Sequence, residues 1–324
     1  MKWVKYLVFS LIGLLLLFLA FNNQSPKELL AQLQNVNYFW IILSMLFGFL
    51  AMVSRGVRWN VLLENMNYQP SNFNSICAVT IGYVTNLAIP RAGEVTRCTS
   101  LAQTEKIPID KLLGTIILER IIDFICLVLL ICTVFLLNFN AFKLFFIDLF
   151  TDGVASTTIL YIITSIPIVC FLLFFLFKNY LKTSSFYNKV LTFLKGVRDG
   201  IKSISGLKRQ WAFWGHTLFI WAMYYLMTYV CFFTIEETKH LNIIDGLFIL
   251  VVGGLGMIAP VQGGIGAYHL VVKTGLVILG INSDSAILFA TIVHAAQTLM
   301  TLFVGSCSVL LLFLSKRNNP SEHI

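Results

Sequence analysis

The chain has 324 residues, of which 58% are hydrophobic and 12% charged. Soluble domains carry about twice that charge, so a soluble globular fold is excluded. Long unbroken apolar runs exclude a β-barrel, whose strands alternate over about ten residues. The net charge of +8 is read as basic loops facing anionic lipid, not as a nucleic-acid surface. The expectation is an all-α polytopic membrane protein.

Lys2 and Lys5 precede an apolar run over 4–21. Phe18-Leu19-Ala20 puts a large residue where signal cleavage needs a small one, so this run reads as an uncleaved first span. Further full spans are expected near 38–54, 113–137, 157–177, 213–234 and 286–314, making six. Two other apolar regions, 73–105 and 243–280, are interrupted. The first holds Asn86, Pro90 and Gly93; the second holds Pro260, Gly263, Gly264 and Gly266. Proline lacks an N–H and glycine frees φ, so each region reads as a broken helical hairpin. Bare backbone in hydrocarbon is tolerated only under protein or beside a watery cavity. A matched pair of broken segments is a pointer to a transport site.

Basic residues set the expected orientation. Lys2, Lys5, Arg55, Arg58, Arg91, Arg97, Lys106, Lys111, a basic loop over 178–210 and Lys316-Arg317 share the cytoplasmic side, with both termini. Segments 22–37, 138–156 and 236–240 take the other side. This parity requires each broken region to re-enter or to span twice. The units 38–137 and 213–314 then have the same order and opposite orientation, an inverted repeat within one integral-membrane domain, 1–324. Between them Val190, Leu194, Val197, Ile201 and Ile204 recur at helical spacing. That pattern fits an amphipathic helix on the inner leaflet, or a loop helix packed on the protein. Trp211 and Trp214 fit interfacial anchors.

Charge concentrates in three places. Arg55 and Arg58 close the second span beside Trp59 and read either as snorkelling anchors or as head-group contacts at the cytoplasmic mouth. Arg91, Glu94 and Arg97 surround the first break, where a guanidinium and helix-end N–H groups together suit a phosphate. Asn86 is a candidate cap for the freed backbone. Glu119, Arg120 and Asp123 lie inside an apolar span, where ionisable groups are costly. They read as a head-group or coupling-ion site, or as a paired cluster docking this helix. His269 and His294 are candidate proton carriers against a structural reading, with Gln297 one turn from His294. The glycine run at 253–266 is no nucleotide loop, since no Lys-Ser/Thr follows it. It suits tight packing and exposed carbonyls. The seven cysteines are scattered without metal spacing and read as small apolar packers. No catalytic residue, metal or cofactor is expected.

Four pieces in order are similar to a known family: Arg55-x-x-Arg58-Trp59, Asn86 through Pro90-Arg91-x-Gly93-Glu94-x-x-Arg97, Glu119-Arg120-x-x-Asp123, and Pro260-x-x-Gly263-Gly264-x-Gly266. They resemble the flippase-like family that includes the membrane region of lysylphosphatidylglycerol synthases. The resemblance covers nearly the whole chain and implies a multi-pass inner-membrane protein that moves lipid between leaflets. In that family an acidic residue commonly follows the last glycine motif, where His269 stands here. Lipid lysylation is not expected of this chain, because nothing after Ile324 supplies an aminoacyl-transferase domain.

The leading expectation is therefore a lipid translocase passing an anionic or lipid-linked head group through a polar groove between the two hairpins. Arg55, Arg58, Arg91, Arg97 and Arg120 are the expected head-group residues. Glu94, Glu119, Asp123 and His269 are expected to orient or couple. The expected partners are anionic membrane lipids and no nucleic acid, with a homo-oligomer or a separate lipid-modifying enzyme also open. Two alternatives stand beside it: a membrane enzyme acting on a lipid-linked substrate, and a non-catalytic membrane scaffold.

Overall fold

The computed structural model describes residues 36–151, 206–259 and 261–318, with a few isolated positions before residue 36. The expected spans 4–21 and 157–177, the 184–205 helix and Pro260 lie wholly or largely outside the described residues. Those residues form nine α-helices and no strand. Four helices are long and apolar enough to cross a membrane: Tyr38–Glu64 (α1), Ile109–Leu137 (α4), Gln210–Tyr229 with its 3-10 extension to Phe233 (α6), and Ser283–Asn318 (α9).

Asn37 starts α1 by accepting from the Phe39 N–H, a standard N-cap arrangement. The expected end near residue 54 is wrong, because the helix continues to Glu64. Arg55 and Arg58 stay helical and buried because Glu119 and Asp123 of α4 supply their counter-charges. The chain leaves α1 through Asn67 at φ 63°, one of the few conformations that turn so sharply.

Between α1 and α4 lies a helical hairpin, Asn72–Ala88 (α2) and Gly93–Glu105 (α3). Pro90 disfavours helical φ/ψ at Ile89, which is extended at φ −130°, and α2 stops there. Lys106, left-handed at φ 54°, ends α3, and Pro108 opens α4. A short helix, Phe139–Thr151 (α5), follows α4. Between α6 and α9 lies a second hairpin, Ile243–Ile258 (α7) and Ala267–Ile278 (α8). Asn242 and Asp245 cap α7 reciprocally. A 3-10 turn at Gln262–Gly264 sits in the second break. At 1.5 Å per residue the 12 to 17 residues of α2, α3, α7 and α8 each reach ~18–26 Å, short of the ~30 Å hydrocarbon thickness.

Each hairpin has its own core. Trp59, Leu63, Ala78, Val79, Leu101 and Leu112 pack α1 to α4 together. Phe232, Phe248, Val252, Val272, Leu276 and Phe289 pack α7, α8 and α9. The two halves meet where α6 packs on α1, α9 on α2 and α7 on α4. The α2–α9 contact carries a buried hydroxyl pair, Thr80 Oγ1 to Ser308 Oγ at 2.7 Å.

Candidate functional site

Glu119, Arg120 and Asp123 are delivered by α4, and a charge there needs a partner. Fully buried Arg58 donates Nη2 to Asp123 Oδ1 at 2.9 Å and to Glu119 Oε1 at 3.3 Å, and Nη1 to Thr217 at 3.2 Å. Arg55 pairs with the other oxygen of Asp123. Its Nη1 reaches the phenol oxygens of Tyr83 at 2.6 Å and Tyr224 at 3.0 Å. Glu119, equally buried, binds Arg97 of α3 through its second oxygen. The Arg97 guanidinium also lies 3.2 Å from Glu94 and over the Trp59 ring, 4.7 Å from its centroid, so its charge is balanced on three sides. Arg120 differs: its side chain is 46% exposed, with Nε 3.3 Å from Glu94 and Nη2 3.8 Å from Asp123. Arg55 and Arg58 thus do not snorkel to a surface, and the cluster docks α4 onto α1 and α3.

At the first break the Gly93 N–H, which begins α3 without a helical partner, donates to Asn86 Oδ1 at 2.7 Å. A side chain on Gly93 would strike the Gly82 carbonyl and the Asn86 amide. Only glycine lets α2 and α3 approach this closely. Arg91 holds φ 64°, sparsely populated for a residue with a Cβ, and the Ala92 N–H to Ile89 carbonyl bond closes the turn. Among the described residues Arg91 has no carboxylate partner.

The second break uses glycine differently. Gly263, Gly264 and Gly266 all have positive φ. His294 of α9 donates Nε2–H to the Gly263 carbonyl at 2.7 Å. His269 Nδ1 lies 3.4 Å from the Gly266 N–H, and the two imidazole centroids are 4.8 Å apart. His294 turns to this carbonyl and not to Gln297, so the histidines hold the backbone of the break.

Both breaks face one cavity of about 690 Å³. Arg91, Glu94 and Arg120 line it, with Asn86 and Pro90, from the first half. Gly253, Gly254, Gly263, Gly264, His294 and Gln297 line it from the second. Tyr83 and Tyr224 add phenols, and Met52, Leu87, Met227, Ile249 and Met257 add apolar wall. Arg55, Arg58, Arg97, Glu119, Asp123 and His269 stand behind the lining, and Gly93 and Gly266 shape the breaks without joining it. The two phenols and Thr217 were not among the sequence-derived site residues. Tyr83 shared a helical face with Asn86, a signal that was available; Tyr224 and Thr217 carried none, since an aromatic or hydroxyl in an apolar span is ordinary.

A cationic end on a largely apolar chamber can hold the oxygens of an anion while its hydrocarbon stays in an apolar setting. Comparison with curated proteins and with solved structures found no match for this chain. A family model described as "Lysylphosphatidylglycerol synthase TM region" matches residues 3–305. Together with the four span-length helices, that match over nearly the whole chain makes this a membrane protein of lipid-related function and a member of the lysylphosphatidylglycerol synthase transmembrane-region family.

Proposed function

We propose that this protein is a lipid translocase of the inner membrane that carries an anionic head group between leaflets through the cavity between its hairpins. The observation that carries the reading is that both broken hairpins line one chamber whose cationic end is Arg91 and Arg120. In this reading the chain is one integral-membrane domain with six spans, two re-entrant hairpins and cytoplasmic termini. The units 38–137 and 213–314 form an inverted repeat, so each hairpin opens toward a different face. The shortness of α2, α3, α7 and α8 supports re-entry over double spanning.

The roles divide by exposure. Arg91 and Arg120 contact the phosphate. Arg55, Arg58 and Arg97, paired behind the wall, position α1, α3 and α4. Glu94 and Asp123 orient Arg120 and keep its guanidinium turned toward the cavity. Exposed Ile89, Met257, Ile258 and Ile265 beside the breaks offer the acyl chains an apolar lateral exit while the head group moves. Anionic lipids are thus the proposed partners.

The test uses purified protein in vesicles with a fluorescent anionic phospholipid and a membrane-impermeant quencher. Losing one charge-assisted bond costs about 1.5–3 kcal/mol, roughly ten- to a hundredfold in rate if it is made in the rate-limiting state. Arg91→Gln and Arg120→Gln should each slow transbilayer movement about tenfold while the protein stays folded. Movement at the wild-type rate in the double variant overturns the assignment.

A further inference from the structure

The two halves share a pair of matched seams. Each hairpin lays its first helix against the last long helix of the other half, α2 on α9 and α7 on α4. Both pairs run antiparallel. Thr80 and Val84 meet Ser308 and Gly305, while Asp245 and Gly254 meet Asn138 and Leu127. Val84 and Gly254 hold the same place, each six positions before its proline, Pro90 or Pro260. Each seam thus sets one bulky side chain against one glycine, and the two seams exchange which helix carries the glycine.

The seams are closed to different degrees. At α2–α9 a Cβ on Gly305 would lie 2.6 Å from Val84 Cβ and 3.1 Å from the Thr80 carbonyl oxygen, so the glycine lets the helices meet backbone to backbone. At α7–α4 a Cβ on Gly254 would meet Leu127 Cδ1 at 4.0 Å and, among the described residues, nothing nearer. A methyl group fits there as the structure stands. Gly254 also faces the cavity, and Met257 and Ile258 beyond it are exposed. At the other end of this seam Asn138 Nδ2 lies 3.5 Å from Asp245 Oδ1.

The closed seam can part without orphaning a polar group. The Thr80 hydroxyl donates to Ser308 Oγ at 2.7 Å, a bond that separation breaks. Thr80 Oγ1 also lies 2.9 Å from the Cys77 carbonyl oxygen, and Ser308 Oγ 2.9 Å from that of Val304. Each hydroxyl therefore keeps an acceptor in its own helix. Among the described residues no ion pair crosses either seam, since the buried charges join α1, α3 and α4.

We infer that the seams are alternate lateral gates of the cavity: this structure holds α2–α9 closed and α7–α4 open, and in a second state Leu127 closes onto Gly254 while Val84 leaves Gly305. This deepens, and rests on, the inverted-repeat translocase of the proposed function. Packed interfaces switch between discrete arrangements and do not deform continuously. The two glycine seams supply two such arrangements, and the bulky partner that fills one glycine leaves the other unfilled.

The experiment measures spin-label distances across both seams in vesicles of anionic phospholipid, on the full chain with its native cysteines replaced. One label pair sits at Ile89 and Leu299, the other at Phe124 and Met257, all exposed positions. Each seam should show two distances, and the same added methyl should act oppositely at the two glycines. Gly305→Ala overpacks the seam closed here, and Gly254→Ala overpacks the seam closed in the second state. Each should shift the population ratio about tenfold. In Gly305→Ala the Ile89–Leu299 distance lengthens and Phe124–Met257 shortens; in Gly254→Ala the reverse holds. Should Gly305→Ala fail to fold, Ser308→Ala removes the hydroxyl bond alone and shifts both seams in the same direction as expected of Gly305→Ala. The inference is overturned if the substitution in α9 moves one seam alone, if the α9 and α7 variants shift the seams the same way, or if no second distance is seen in any of them. Exchange of the two distances without transbilayer movement of lipid leaves the paired seams standing and removes the translocase reading.

Discussion

Glu119 sits between two arginines that arrive from different helices, Arg58 from α1 and Arg97 from α3. Removing one partner from a buried ion pair leaves an uncompensated charge, at a cost of about 3–5 kcal/mol. Glu119→Gln keeps the shape and removes the charge. It should destabilise the protein by about 3 kcal/mol in detergent unfolding; an unchanged unfolding midpoint would contradict the network. The residue types of this cluster were legible, since Glu119, Arg120 and Asp123 stood out in an apolar run. Their pairing was not. The three read together as one polar site or one paired cluster, whereas Glu119 is fully buried and the Arg120 side chain is half exposed. Three residues sharing a broad helical face do not reveal which of them a neighbouring helix covers. Gly93 makes a sharper local case, because the space for a Cβ is already filled by the Gly82 carbonyl and Asn86. Gly93→Ala should cost about 1–3 kcal/mol by overpacking, read as a lower thermal midpoint. Unaltered stability would mean that α2 and α3 part easily.

At the scale of elements, helix breaks were easier to read than helix ends. Pro90 and the glycines around 263 act through their own backbone chemistry, and each interrupts its hairpin within a few residues of the expected place. The end of α1 was misread by ten residues, because two arginines in sequence look like a membrane boundary. They are not a boundary when Asp123 and Glu119 meet them in the interior. The second break also differs from its sequence reading as nearly pure glycine. His294, from a helix some thirty positions away, holds the Gly263 carbonyl. Backbone freedom in that break is thus countered by a side-chain bond from another element, which no local pattern encodes.

For the whole molecule, the functional question is whether the two hairpins move against each other. A Cβ on Gly263 would lie 3.2 Å from the end of the Leu87 side chain, so the breaks touch across the cavity. Leu87→Cys and Gly263→Cys, joined by a short thiol cross-linker in a background without native cysteines, should arrest lipid movement, with recovery on cleaving the linker. Full movement in the cross-linked protein would show that the breaks need not separate. Composition alone determined that the chain is helical and membrane-embedded, because burying so much apolar residue with so little charge has few solutions. Proline and glycine determined where the hairpins break, because those effects are local. Only the tertiary structure decided which arginines are spent on buried carboxylates and which face the cavity, and that two tyrosines share one guanidinium. The hydrogen bonds of Arg55 join it to residues 28 and 169 positions away, and no spacing along a single helix carries that information.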